Sequence, residues 1–208
     1  MTQEELCNVL RTKAPGVPAF LHESPSLEDA LRYAVELTLK KRPCEMLLPK
    51  EGESYGPKSE NGFPTLLERR IAAPGLSDEE FALLEKLAEG TGIRLLRKGL
   101  RDYLGGFDVS ITWVDALITD SVTCIVNSNN EEVRLGTMIA ENSLMLVRKS
   151  VLMDKLEDSA PFLRSLMTKG GASYTAYITG PSRTADIERV GALGVHGPLE
   201  LHIALLED

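Results

Sequence analysis

The chain predicts an α/β domain, a mainly parallel sheet covered by helices and preceded by an N-terminal helical extension. From Thr65 onward, short apolar runs alternate with stretches of helical period, the pattern of strands joined by crossover helices. Hydroxyl-x-x-acid signatures stand ahead of apolar stripes at Thr2, Ser26 and Ser77 and mark helix starts. A composition of 43% hydrophobic and 26% charged residues over a length of 208 is that of a globular chain able to bury one large core. The boundary falls near residue 64: residues 1–64 read as extension and linker, and residues 65–208 as the α/β domain.

Taken in order, Thr2-x-x-Glu5 caps a short amphipathic helix carrying Leu6, Val9 and Leu10. After the Ala14-Pro15-Gly16-Val17-Pro18 loop, Ser26-x-x-Asp29 caps a second helix with the stripe Leu27, Ala30, Leu31, Ala34 and Leu37. Lys40-Lys41-Arg42 suits its C-terminal end, where cations complement the dipole. Cys44 to Leu48 reads as a short strand, and Lys50 to Pro64, rich in Gly, Pro, Ser and charge, as a linker or flap.

Arg70 to Ala73 then reads as a strand, Ser77-x-x-Glu80 opens a helix to about Ala88, and Gly92 to Leu96 follows as a strand. Val109 to Thr112, Val122 to Val126 and Leu144 to Val147 complete the buried strands, and Ser150 to Met167 reads as a helix divided at Pro161. Ser173 to Thr179 and Leu199 to Leu206 are the last strands, with a helix from about Ser182 to Val190 between them. Period-two alternation in Leu199 to Leu206 places that strand half exposed, at an edge, with His202 outward.

A formal net charge of −8 repels phosphate backbones at long range and argues against a nucleic-acid partner. No apolar run has the length of a bilayer span, and the acidic N-terminus is unlike a signal peptide, so membrane insertion is not expected and a cytoplasmic location is. Cys7, Cys44 and Cys124 are too scattered for a disulfide framework or a cluster motif, and His22, His196 and His202 too scattered for a metal site. No cofactor is expected in this chain.

The candidate chemistry collects in Gly180-Pro181-Ser182-Arg183-Thr184-Ala185-Asp186-Ile187-Glu188 and Gly194-Val195-His196-Gly197-Pro198. In open α/β sheets, ligands gather at carboxyl ends of strands where helices begin. A strand running into Gly180 would present helix N–H groups, the hydroxyls of Ser182 and Thr184 and the Arg183 guanidinium to a small carboxylate or phosphate. Ser182 or Thr184 serves equally well as an N-cap, and Asp186 and Glu188 as acids at a helix start. His196, between two glycines, reads either as acid, base or donor or as a histidine that fixes its loop. Asp120, with Ser121 and Thr123 at a strand-loop junction, is a further acid/base candidate, whereas Asp115 reads as a turn residue.

These residues resemble the closing signature of the LUD domain family, of the lactate-utilisation protein C type (LutC/YkgG). The resemblance extends from Ile71-Ala72-Ala73-Pro74-Gly75-Leu76 through Val109 to Asp120 and on to the C-terminus, roughly the last two thirds of the chain. It implies a Rossmann-like fold similar to the CoA transferase, sugar-phosphate isomerase and folate cyclo-ligase superfamily. It also implies a role in oxidising L-lactate to pyruvate beside partner subunits that carry iron–sulfur clusters. Asp120, Thr123, Gly180, Ser182, Arg183, Thr184, Asp186, Gly194, His196 and Gly197 are the site residues to examine. The sequence departs from the family pattern at Val122, where an acid-Thr-Gly-Thr stretch has glycine, and at Ser143, where many members have histidine. A stand-alone CoA-transferase-like or ATP-dependent ligase-like enzyme and a non-catalytic scaffold subunit are the alternative readings.

Overall fold

The structure is a computed structural model and describes residues 1–42, 55–60, 62–103, 105–168, 173–184, 192–193 and 197–208. Its elements in chain order are α1 (Gln3–Lys13), β1 (Ala19–Ser24), α2 (Leu27–Lys40), β2 (Tyr55–Lys58), β3 (Pro64–Leu66), β4 (Arg70–Ala72), α3 (Asp78–Ala88), β5 (Arg94–Leu96), β6 (Phe107–Trp113), β7 (Ala116–Ile118), β8 (Thr123–Asn127), α4 (Glu131–Ile139), β9 (Ala140–Arg148), β10 (Leu152–Met153), α5 (Ala160–Met167), β11 (Thr175–Thr179), β12 (Arg183–Thr184), β13 (Ala192–Leu193) and β14 (Glu200–Leu206).

The helix starts follow local chemistry. Thr2 with Glu5, and Ser77 with Glu80, form reciprocal capping boxes at α1 and α3, and Ser26 accepts the Asp29 N–H at α2. Each satisfies N–H groups that have no partner inside the helix.

Six strands form the main sheet in the order β1-β14-β9-β6-β4-β5, all parallel. The α/β reading is therefore correct. Leu31, Ala34, Leu84, Ile111, Leu144 and Leu146 join α2 and α3 to one face of this sheet. On the other face, Met145, Val147, Leu201 and Ile203 pack against Cys7 and Leu10 of α1 and against Leu117, Cys124 and Val126. The latter three belong to a second sheet, β10-β7-β8-β11, whose β7-β8 and β8-β11 pairs are antiparallel.

Several expectations are corrected. Strand β1, to which the sequence pattern assigned no element, pairs along its length with β14, so β14 is an interior strand and not an edge. His202 is consequently buried, 3% exposed, although a period-two pattern placed it outside. His22 lies in β1 and stacks on Tyr33. Ser150 to Met167 is helical as α5 only from Ala160, with Pro161 in the first turn where its missing N–H does no harm. Part of the expected linker forms the β2-β3 pair. The expected strand Cys44 to Leu48 lies outside the described residues.

The strand order reverses between β4 and β6, where a crevice opens in sheets of this type. Here Trp113 lies across it: its Nε1 donates to Glu80 at 3.2 Å, and the Arg148 guanidinium sits 4.2 Å from its ring centroid.

Candidate functional site

The Asp120 to Thr123 stretch forms the tight turn between β7 and β8. Val122 takes a φ of 51° there, in the left-handed region that β-branched side chains disfavour, while its side chain is fully buried in the core. This is the position at which the family pattern has glycine, and the backbone geometry gives the reason for one.

Alternation along β8 and β11 sends Cys124 and Val126 inward and turns Thr123, Tyr177 and Thr179 to the outer face. There they floor a groove of about 560 Å³, with Ile118 beneath and Asp120, Ser121, Lys155 and Glu157 at its rim. Its volume is in the range of small-molecule sites. Ser121 Oγ, Thr123 Oγ1 and Thr179 Oγ1 form a continuous hydroxyl chain with both links at 2.7 Å. Lys13 at the end of α1 pairs with Asp120 at 3.0 Å, which leaves Lys155 as the groove's cation without an ion pair among the described residues. Tyr177 Oη and Ser159 Oγ approach to 3.4 Å.

Such a lining can hold a carboxylate by its cation and donate or accept through the hydroxyls. Cys124 takes no part, since it points to the core and burial pushes its thiol up to about 12. No group of three or more His, Cys, Asp or Glu side chains able to hold a metal ion occurs among the described residues.

The C-terminal signature begins one residue after Thr179. Gly180 has a φ of 68°, and a Cβ on it would collide with the carbonyl oxygen of Val17. Ser182 N–H donates to Pro198 O at 2.8 Å, and a Cβ on Gly197 would lie 3.2 Å from that of Ser182. The two halves of the signature are thus brought together around Ser182, Gly197 and Pro198.

No helix starts at Ser182, contrary to the expectation. Arg183 and Thr184 instead form β12, antiparallel to Leu193 and Ala192 of β13. The segment lies at the carboxyl end of β11, but β11 belongs to the second sheet. Leu199 N–H bonds to Glu141 O at the start of β9, so the segment lies at the amino ends of the main-sheet strands and not at their carboxyl ends. Arg183 is exposed, and its Nη2 returns to within 3.5 Å of where a Gly180 Cβ would be. Asp186, Gly194 and His196 lie outside the described residues. Asp115 has the turn role expected of it, accepting the Asn127 N–H at 2.6 Å.

Sequence reasoning missed Lys155, Tyr177 and Thr179, for which the alternation of Thr175 to Thr179 was the available signal. It also missed a buried charge cluster at the amino ends of β4, β6 and β9. Asp108, fully buried, receives the Arg70 N–H at 2.7 Å and Lys41 Nζ at 2.7 Å, and Lys41 also meets Glu141 at 2.7 Å. An acid inside the apolar run Phe107 to Trp113 was its signature.

Among described residues, no helix is long and apolar enough to cross a membrane. A family model for the LUD domain matches residues 19–206. The chain is similar to the "Lactate utilization protein C" of Geobacillus kaustophilus (strain HTA426), 31% identical over 219 aligned positions that cover 100% of this chain and 80% of that protein. It is similar to the protein of the same name from Geobacillus sp. (strain WCH70), 29% identical over 51% of this chain and 45% of that one. The "Uncharacterized protein YkgG" of Escherichia coli (strain K12) is 31% identical over 48% of this chain and 44% of its own length. In these last two comparisons the chain spans less than half of the relative's length.

The crystal structure of a DUF162 family protein from Deinococcus radiodurans shares the fold, with a TM-score of 0.62 and 15% identity over 99% of each chain. The resemblance read from the last two thirds of the sequence therefore extends further. A match that runs from the first residue of β1 to the last residue of β14 takes in the whole main sheet, and the chain belongs to the LUD domain family.

Proposed function

We propose that this chain is a component of L-lactate utilisation that binds a small anionic metabolite of the hydroxy- or keto-carboxylate class and acts beside iron–sulfur partner subunits. The names of its relatives support the pathway. The observation that carries the binding reading is the groove itself: the stretch corresponding to the family's acid-Thr-Gly-Thr pattern, Asp120 to Thr123, forms one wall of it. Lys155 takes the carboxylate, and the chain of Ser121, Thr123 and Thr179 takes the ligand's hydroxyl or carbonyl oxygen. Gly180, Ser182, Arg183 and Thr184, with Gly194, His196 and Gly197, complete the ligand-binding set on this reading, and Arg183 offers a second cation. Iron–sulfur clusters of the partner subunits would accept the electrons of the oxidation.

The test is thermal unfolding with L-lactate and with pyruvate. A ligand at 100 times its Kd adds about 2.7 kcal/mol to native-state stability. Lys155→Met and Thr123→Val should each weaken the response at least tenfold. Absence of stabilisation by either acid, or full growth on lactate of strains carrying Lys155→Met, Arg183→Ala or His196→Ala, would overturn the binding reading.

A further inference from the structure

A second cleft, independent of the groove, opens along the outer edge of the main sheet. It has a volume of about 540 Å³ and is lined by Pro15, Pro18, Phe20, Leu21, His22 and Tyr33, with Arg11 at one side. Three rings, those of Phe20, His22 and Tyr33, line it, and that of His202 backs them. Phe20 and His202 are register partners on β1 and β14 and stack with centroids 4.9 Å apart at 18°. His22 and Tyr33 stack at 4.3 Å and 11°, and Tyr33 Oη meets His202 Nδ1 at 2.8 Å.

The inner rings are fixed by hydrogen bonds. His202 is held on both nitrogens, by Tyr33 and by Glu200 at 3.0 Å, and is buried. His22 Nε2 is held by Asp29 at 3.1 Å, which in the neutral ring makes Nε2 the donor and leaves Nδ1 as an acceptor.

The outer ring has no such cover. Phe20 has one face on His202 and remains 52% exposed. The row His202-Phe20 therefore ends on an open aromatic face that borders the cleft. The cleft's guanidinium is already spent: Arg11 bonds Glu23 through Nε at 2.7 Å and Nη2 at 2.9 Å, and Glu4 through Nη1 at 2.9 Å. With that charge neutralised, the recognition the lining favours is of an uncharged planar ring.

We propose that this cleft binds a planar heteroaromatic ring, of flavin or purine size, which stacks on Phe20 and donates an N–H to His22 Nδ1. Flat faces at offset-stacking distance attract through dispersion and their quadrupoles, and a base on one aromatic side chain is a recurrent unit of recognition. The rigid partners Tyr33 and His202 keep Phe20 in place before the ligand arrives, which lowers the ordering cost of binding.

The test titrates riboflavin, read by quenching of its own fluorescence, and adenosine, read by thermal unfolding, with ribitol and ribose as ring-free controls. Saturable binding of either ring compound, with no response to its control, is expected, and the responder separates flavin-type from purine-type ligands. Phe20→Leu should lower the affinity at least tenfold, while Phe20→Tyr, which keeps the ring, retains it. No saturation by either ring compound at its solubility limit, an equal response to the controls, or an affinity unchanged in Phe20→Leu would overturn the proposal. Because neither Phe20 nor His22 touches the Asp120 groove, failure here leaves the lactate reading standing, and the converse holds.

Discussion

The carbonyl oxygen of Val17 occupies the space a side chain on Gly180 would need, and so ties the start of the C-terminal signature to the chain entering β1. Gly180 also has a positive φ of 68°. Gly180→Ala therefore combines a backbone clash with a left-handed alanine, and should destabilise by about 2–4 kcal/mol in urea unfolding. A loss under about 0.5 kcal/mol, the scale of an ordinary surface change, would show that Val17 moves aside freely.

Val122 and Val126 lie in the same core cluster, both buried, but only Val122 has a left-handed backbone. Replacing either by glycine forfeits similar apolar burial, whereas at Val122 the replacement also relieves conformational strain. Val122→Gly should cost about 1–2 kcal/mol less than Val126→Gly, the usual penalty of the left-handed region. Equal losses in parallel denaturant titrations would contradict that strain.

Asp108 holds the Arg70 N–H and the Lys41 ammonium inside the protein. Removing the carboxylate takes an anionic partner from a nearly buried cation, which keeps Glu141, and the acceptor from the Arg70 N–H. Asp108→Ala should destabilise by about 3–5 kcal/mol, the range for breaking one side of a buried pair. A near-wild-type unfolding midpoint would show that the remaining partners of Lys41, Glu141 and the Arg42 carbonyl among them, suffice.

His202 supplies a pH dependence. Burial pushes its imidazole below the ordinary value of 6.5, with Glu200 opposing that shift. The folded state then binds fewer protons than the unfolded one in that interval, so stability rises with pH across it and is lost as pH falls below about 6.5. Urea midpoints of the wild type should fall between about pH 7 and pH 5, and those of His202→Gln should fall less. Parallel slopes would assign the acid sensitivity to other groups.

The helices at Thr2, Ser26 and Ser77 were legible because a cap is satisfied within three residues of itself. The strands Arg70–Ala72, Phe107–Trp113 and Ala140–Arg148 were largely legible as apolar runs. Strand β1 was not: the alternating Ala19 to Ser24 is short, and its partner β14 lies some 180 positions on. Part of the groove was legible in Asp120, Ser121 and Thr123. Lys155 and Thr179 were not, because only the pairing of β8 with β11 and the turn after β10 bring them to the same wall.

What the sequence by itself determined is the α/β class, the capped helix starts and membership of the LUD domain family, all of which rest on residues close together or on a motif read directly. Only the tertiary structure decided that His202 is buried, that Arg183 and Thr184 form a strand, and that the described end of the C-terminal signature, at Pro198 and Leu199, meets the amino end of β9. Each of these depends on which distant strand supplies the hydrogen bonds and covers the side chain. That choice is made by the packing of the whole sheet, and a period of two residues is the same at an edge as in the interior.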